Sequence, residues 1–86
     1  MFFNIYILKS EKNNRFYIGF TPDLLARLEK HNQGKVYWTK RHTPWKLIYY
    51  EGYLSKMDAL NREKQLKRFA NGFTQLKRRI SNTIKL

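Results

Sequence analysis

No cysteine occurs in this chain. Disulfides, thiolate metal sites and cysteine nucleophiles are therefore excluded together, and the absence fits a reducing compartment, so a cytoplasmic location is expected. Long apolar runs are also missing. The opening "MFFNIYILKS" is short, lacks a basic leader and a small-residue cleavage site, and carries strand-forming residues, so it reads as a first strand rather than a signal or a membrane span. There is no internal repeat, low-complexity tract or linker, and 86 residues suffice for one domain (1–86) built on a single core. Acidic residues are scarce, six against 18 lysines and arginines.

That imbalance leaves a formal net charge of +12 on a small surface. A polyanionic partner is implied, because neutralising phosphates releases counterions. Nucleic acid is the expected partner rather than a membrane, although an anionic membrane surface or a ribosomal RNA site would satisfy the same excess, and the plainer reading is a basic face that serves solubility. Hydrophobic residues make up 42% of the chain and aromatic residues 16%, enough for it to fold unaided.

Turn signals divide the chain into six elements. Phe2 to Leu8 and Phe16 to Phe20 are rich in β-branched and aromatic residues, and the polar "KSEKNNR" between them suits a hairpin. "TPDLLARLEKHNQG" predicts a helix with Thr21 as N-cap, Pro22 at the first helical position, Leu24, Leu25 and Leu28 as the inner stripe, and Gly34 just past the end. The nearly continuous apolar run of "WKLIYYEGY" predicts a third strand, central or well covered. Ser55 and Asp58 form a capping box for a second helix from about Lys56 to Phe69, stopped by Asn71-Gly72. Phe73, Leu76, Ile80 and Ile84 recur at helical spacing in the tail. The fold class expected is α+β, a small three-stranded antiparallel sheet flanked by about three helices in the order β-β-α-β-α-α.

Several polar residues stand where packing does not call for them. Glu63 falls inside the arc of the second helix bounded by Leu60, Leu66 and Ala70. Either a nearby arginine satisfies it, or it projects into a cleft and holds a divalent cation. Arg27 and His31, four residues apart, share a face of the first helix. A guanidinium and an imidazole suit a phosphodiester, whereas the plainer alternative is a solvated flank with Arg27 paired to Asp23. Tyr6 and Tyr17, taken singly, read as amphipathic core residues more readily than as catalysts.

Taken in order, "NIYIL" at 4 to 8, "YIG" at 17 to 19, Arg27 eight residues past that glycine, and a glutamate in a downstream helix resemble the GIY-YIG endonuclease superfamily. The strand "TPWKLIYYE" and the helix "ALNREKQLKR" resemble its small stand-alone bacterial-type members. The likeness spans essentially the whole chain. Two positions depart from the pattern. Asn4 replaces the first motif glycine, and Phe20 stands where the repair nuclease that this domain resembles carries a lysine.

The resemblance implies a metal-dependent endonuclease hydrolysing phosphodiester bonds in DNA, structure-selective or weakly sequence-selective, in a setting such as repair or recombination. It makes Tyr6 and Tyr17 the motif tyrosines, Gly19 the close-approach glycine, Arg27 the phosphate-binding arginine and Glu63 the ligand of one Mg²⁺ or Mn²⁺. His31 falls near the attacking water. For substrate engagement, "KVYWTKRHTPWK" interleaves Lys35, Lys40 and Arg41 with Tyr37, Trp38 and Trp45, and Lys64, Lys67 and Arg68 could extend a phosphate track. Trp45, at a strand start, suits an anchoring role. A nucleic-acid-binding module without useful turnover and a basic structural RNA-binding protein are the alternatives, and a protein partner for targeting is compatible with all three.

Overall fold

The computed structural model describes residues 1–68 and 70–86. Three strands, β1 (Phe3–Ser10), β2 (Phe16–Thr21) and β3 (Trp45–Tyr53), form an antiparallel sheet in the order β2-β1-β3. Helix α1 (Leu24–Asn32) lies between β2 and β3 in the chain, and α2 (Lys56–Arg68), α3 (Ala70–Arg79) and the short α4 (Ser81–Ile84) follow β3. The order is thus the α+β arrangement expected from the sequence. Among the described residues no helix is long and apolar enough to cross a membrane.

β1 lies at the centre because both its faces are apolar. Ile5 and Ile7, fully buried, pack with Ala59 and Leu66 of α2 and Leu76 of α3. Tyr6 and Leu8 point the other way and pack with Trp45, Tyr17 and the α1 residues Leu24 and Leu28. Each fully buried aliphatic side chain contributes roughly 1.5–3 kcal/mol. β3, expected to be central or well covered, is an edge strand. Its apolar run reflects burial on two faces. Leu47 packs toward α1, Ile48 and Tyr49 pack toward α2 and α3, and the register shifts opposite Ile7 and Leu8.

Helix ends differ from expectation in two places. The N-cap of α1 is Asp23, not Thr21: the Asp23 side chain accepts from the Ala26 N–H, while Thr21 finishes β2 and its backbone N–H neighbour Asp23 donates to the Thr21 hydroxyl. Gly72 is not a stop signal but lies inside α3. A Cβ there would come 2.9 Å from the Gln65 carbonyl oxygen of α2, so glycine lets the two helices approach. The expected helix end at Phe69 lies outside the described residues. Ser55 does cap α2, accepting from the Asp58 N–H at 3.2 Å. Gly34, at φ +75°, follows α1 in the left-handed region that glycine tolerates. The tail helix expected through Ile84 is divided at Ile80 into α3 and α4.

Candidate active site

The inner face of α1 is not the leucine triplet read from the sequence. Leu25 is 77% exposed, and the residues turned inward follow the i, i+3, i+4, i+7 pattern as Leu24, Arg27, Leu28 and His31. Two of the four are polar, and they meet the polar groups of β1 and β2. Arg27 does not pair with Asp23, whose carboxylate is taken up in capping.

Tyr6 sits opposite Gly19 in the β1–β2 register. A Cβ at position 19 would fall on the Tyr6 ring and hydroxyl, so this glycine is required by close approach and not by an unusual dihedral angle. The ring lies over β2 and carries its hydroxyl to 2.8 Å from His31 Nε2. Tyr17, two residues before Gly19 on the same face, brings its ring centroid 4.9 Å from that of His31 and 6.3 Å from that of Tyr6.

His31 is fully buried, and its Nδ1 lies 2.7 Å from Thr39 Oγ1. Burial, helped by the charge of Arg27, lowers the imidazole from its ordinary 6.5 to about 4. The Tyr6 hydroxyl is pushed up to about 12, chiefly by burial, with Arg27 opposing the rise and Tyr17 and Glu63 adding to it. Arg27 is raised above its ordinary value, first by its polar contact with the Tyr6 hydroxyl and against the cost of burial. Its Nε is buried and meets no acceptor. A buried N–H without a partner costs about 1–3 kcal/mol, so this guanidinium is held in place against that cost.

Glu63 reaches the same region from α2. Arg62, the residue before it, is turned toward β3, where its Nε lies 3.0 Å from the Glu51 carboxylate. A step of about 100° along the helix then turns Glu63 away from β3. Its carboxylate, half-buried, is satisfied by Lys67 at 3.2 Å rather than by an arginine, and the Lys67 ammonium lies 5.9 Å from the Tyr17 ring centroid. An open cleft of about 370 Å³ borders Glu63, lined also by Asn61, Lys64, Lys67 and Arg68. Among the described residues no three His, Asp or Glu side chains converge. One carboxylate beside an open cleft fits a hard cation that keeps most of its waters, not a dedicated cage.

The α1–β3 connection divides into anchors and exposed groups. Trp45 is buried and donates its indole N–H to the Thr39 carbonyl at 2.9 Å. Trp38 and Tyr37 are 76% and 69% exposed and pack edge to face at 5.2 Å, with the Lys40 ammonium 5.0 Å from the Tyr37 ring centroid. Lys35 and Arg41 are exposed on the same connection, and Lys64 and Arg68 are exposed on α2.

Thr39, buried between Trp38 and Lys40, escapes sequence reasoning because nothing in its spacing marks it. Asn4 is accommodated in β1: its amide nitrogen lies 3.3 Å from the Thr21 carbonyl, and the facing residue is Gly52, where a Cβ would come 3.2 Å from Asn4 Oδ1. Phe20 stacks on Phe3, at 6.2 Å between centroids, in the cluster on the other face of the sheet from Tyr17.

Comparison with known proteins agrees with this geometry. The family model described as the GIY-YIG catalytic domain matches residues 2–75. A UPF0213 protein of Streptococcus pneumoniae is 42% identical over 65 residues, which are 74% of this chain and 65% of that protein. The UPF0213 protein SH2523 of Staphylococcus haemolyticus is 40% identical over 67 residues, 77% of this chain and 80% of the relative. The chain therefore covers a little under two thirds of the streptococcal relative and more of the staphylococcal one. The solution NMR structure of the UPF0213 protein BH0048 from Bacillus halodurans superposes with a TM-score of 0.56 at 29% identity, covering 88% of this chain and 82% of that one.

Proposed function

Because this chain belongs to the GIY-YIG family, whose catalytic domain implies nuclease-type activity, we propose that it is a divalent-metal-dependent endonuclease that hydrolyses phosphodiester bonds in DNA. It selects branched or distorted structure more than base sequence, in the service of repair or recombination. The observation that carries the reading is the meeting of the Tyr6–His31 hydrogen bond with the partnerless buried Nε of Arg27.

Arg27 binds a non-bridging phosphate oxygen through its guanidinium and neutralises charge as the phosphorus becomes pentacoordinate. Tyr6 takes a proton from the attacking water as its own hydroxyl proton passes to His31 Nε2. The 2.8 Å hydrogen bond supports this assignment over Tyr17 acting alone. Binding of a phosphodiester at Arg27 offsets the positive charge that helps to depress His31, so the imidazole becomes a better base when substrate is present. Tyr17 packs between His31 and Lys67 and closes this side of the site. A Mg²⁺ or Mn²⁺ ion held by Glu63 would supply positive charge to the leaving 3′ oxygen. Glu63, now paired with Lys67, would hold such an ion in that lysine's stead, and Lys67 would then be free for phosphate.

Selection by structure is supported by the exposed Tyr37 and Trp38 beside Lys35, Lys40 and Arg41, a composition that stacks unpaired bases and holds backbone without reading base edges. The test is a nicking assay on supercoiled plasmid and branched DNA with Mg²⁺ or Mn²⁺. Wild type should cut the branched substrate faster than linear duplex and lose activity in chelator. Arg27→Ala and Glu63→Ala should each fall on the order of 10²-fold or more. Wild-type protein that binds every substrate and cuts none overturns the reading in favour of a binding module.

A further inference from the structure

The hydroxyl of Thr39 is fully buried, 2.7 Å from His31 Nδ1 and 3.4 Å from the Val36 carbonyl oxygen. The Val36 carbonyl, which also accepts from the Thr39 and Lys40 N–H groups at 3.2 and 3.0 Å, can take the single Thr39 hydroxyl proton and leave a lone pair for His31 when Nδ1 carries a proton. On the other side of the ring, the Tyr6 hydroxyl lies 2.8 Å from His31 Nε2, and the nearest charge acting on it is the guanidinium of Arg27. Arg27 carries only donors, so the Tyr6 proton has one acceptor in reach, the Nε2 lone pair. His31 is neutral around pH 7, because burial and the Arg27 charge both oppose protonation, and so it has one N–H to place. The Tyr6 side puts that proton on Nδ1, and Thr39 Oγ1, 2.7 Å away, is the group that accepts it.

We propose that Thr39 is a positioning residue that accepts the Nδ1 proton of His31 and thereby locks the tautomer whose Nε2 receives the proton of Tyr6. The threonine is itself held: its carbonyl accepts the Trp45 indole N–H at 2.9 Å and its N–H donates to the Val36 carbonyl at 3.2 Å. Its sequence neighbours, Trp38 and Lys40, are exposed. One residue thus ties the base to the connection expected to meet nucleic acid. In the opposite tautomer Nε2–H would point at Tyr6, and neither that nitrogen nor Arg27 could accept the tyrosine proton. The tautomer follows from hydrogen bonding alone, whereas its catalytic consequence rests on the nuclease reading above.

The deciding measurement is nitrogen NMR of imidazole-labelled protein at pH 7, with turnover recorded in parallel. Wild type and Thr39→Ser should show a protonated Nδ1 and a bare Nε2 for His31. Thr39→Val should shift the ring toward the Nε2–H form or a mixture, with kcat lowered roughly 10- to 100-fold, the scale seen when a partner that orients a histidine is lost. KM should change little, and Thr39→Ser should restore turnover together with the ring signals. A wild-type His31 protonated on Nε2, or a folded Thr39→Val that keeps both the Nδ1–H signature and full turnover, overturns the inference. If Thr39→Val does not fold, the wild-type and Thr39→Ser spectra decide it. Should the wild type cut nothing, the nuclease reading falls while the ring signals still decide this one.

Discussion

His31 is a titratable residue held neutral at a cost. An unfolded chain protonates it near 6.5, and the folded protein only near 4, because the imidazole is buried and faces Arg27. The sign follows from proton counting. Below 6.5 the unfolded state binds a proton that the folded state refuses, so stability falls as pH drops. The stabilisation is complete above 6.5, declines through the interval and is lost below 4, a difference worth roughly 3 kcal/mol. Urea unfolding between pH 7.5 and 4 should show this decline for the wild type, superimposed on the titration of the carboxylates. His31→Gln should flatten it, and curves of equal slope would refute the assignment. A residue that only filled space here would gain nothing from being titratable. What makes the imidazole useful is that one of the two causes of its low basicity, Arg27, is the group a phosphate would neutralise.

Helix α2 carries Glu63, and its rotation about its own axis decides whether that carboxylate faces the site. The rotation is fixed by the apolar face that buries Ala59 and Leu66 and is braced by Glu51 on β3, which receives the Arg62 guanidinium and the hydroxyls of Tyr49 and Tyr53. Burial works to raise the Glu51 carboxyl, but these hydrogen bonds more than reverse it and hold the group below its ordinary value. Glu51→Gln should therefore cost about 1–3 kcal/mol of stability and also lower turnover, although residue 51 does not line the cleft beside Glu63. Chemical denaturation paired with the nicking assay checks both, and a loss of stability with full activity would show that Glu63 is oriented without this strut. The elements themselves were legible from sequence where local chemistry dictates them: the hairpin, the Ser55 cap, the strand from Trp45 to Tyr53. What escaped depends on neighbours in space. An apolar run reports how many faces are covered, not how many strands flank it, so the sequence leaves β3 as central or well covered and only the second holds. On α1 the leucines alone do not mark the buried stripe, which includes Arg27 and His31; the i, i+3, i+4, i+7 spacing is there, but His31 finds its partners only on Tyr6 of β1 and on Thr39. Thr39 had no signal at all, since its role depends on an imidazole eight residues earlier in the chain.

At the scale of the whole molecule the net charge of +12 is barely offset internally, because among the described residues only Glu51–Arg62 and Glu63–Lys67 form ion pairs. Exposed cations without such pairs include Lys35, Lys40 and Arg41 on the α1–β3 connection and Lys64 and Arg68 on α2, the last two lining the cleft beside Glu63. If these five contact phosphates of a duplex, the logarithm of the affinity should fall against the logarithm of salt concentration with a slope of about −4 to −5. Removing Lys64 and Arg68 together, as Gln, should reduce that slope by about 2 and leave any substrate preference in place, because phosphate contacts carry register but no sequence information. Trp38→Ala should behave in the opposite way, weakening binding to DNA with unpaired bases by about 1–3 kcal/mol while hardly altering the slope, since stacking releases no counterions. Fluorescence anisotropy titrations across a salt series on duplex, single-stranded and branched DNA measure both quantities at once. An unchanged slope in the Lys64 and Arg68 variant would move the phosphate track off α2, and with it the reason for Glu63 and the cations to share one cleft.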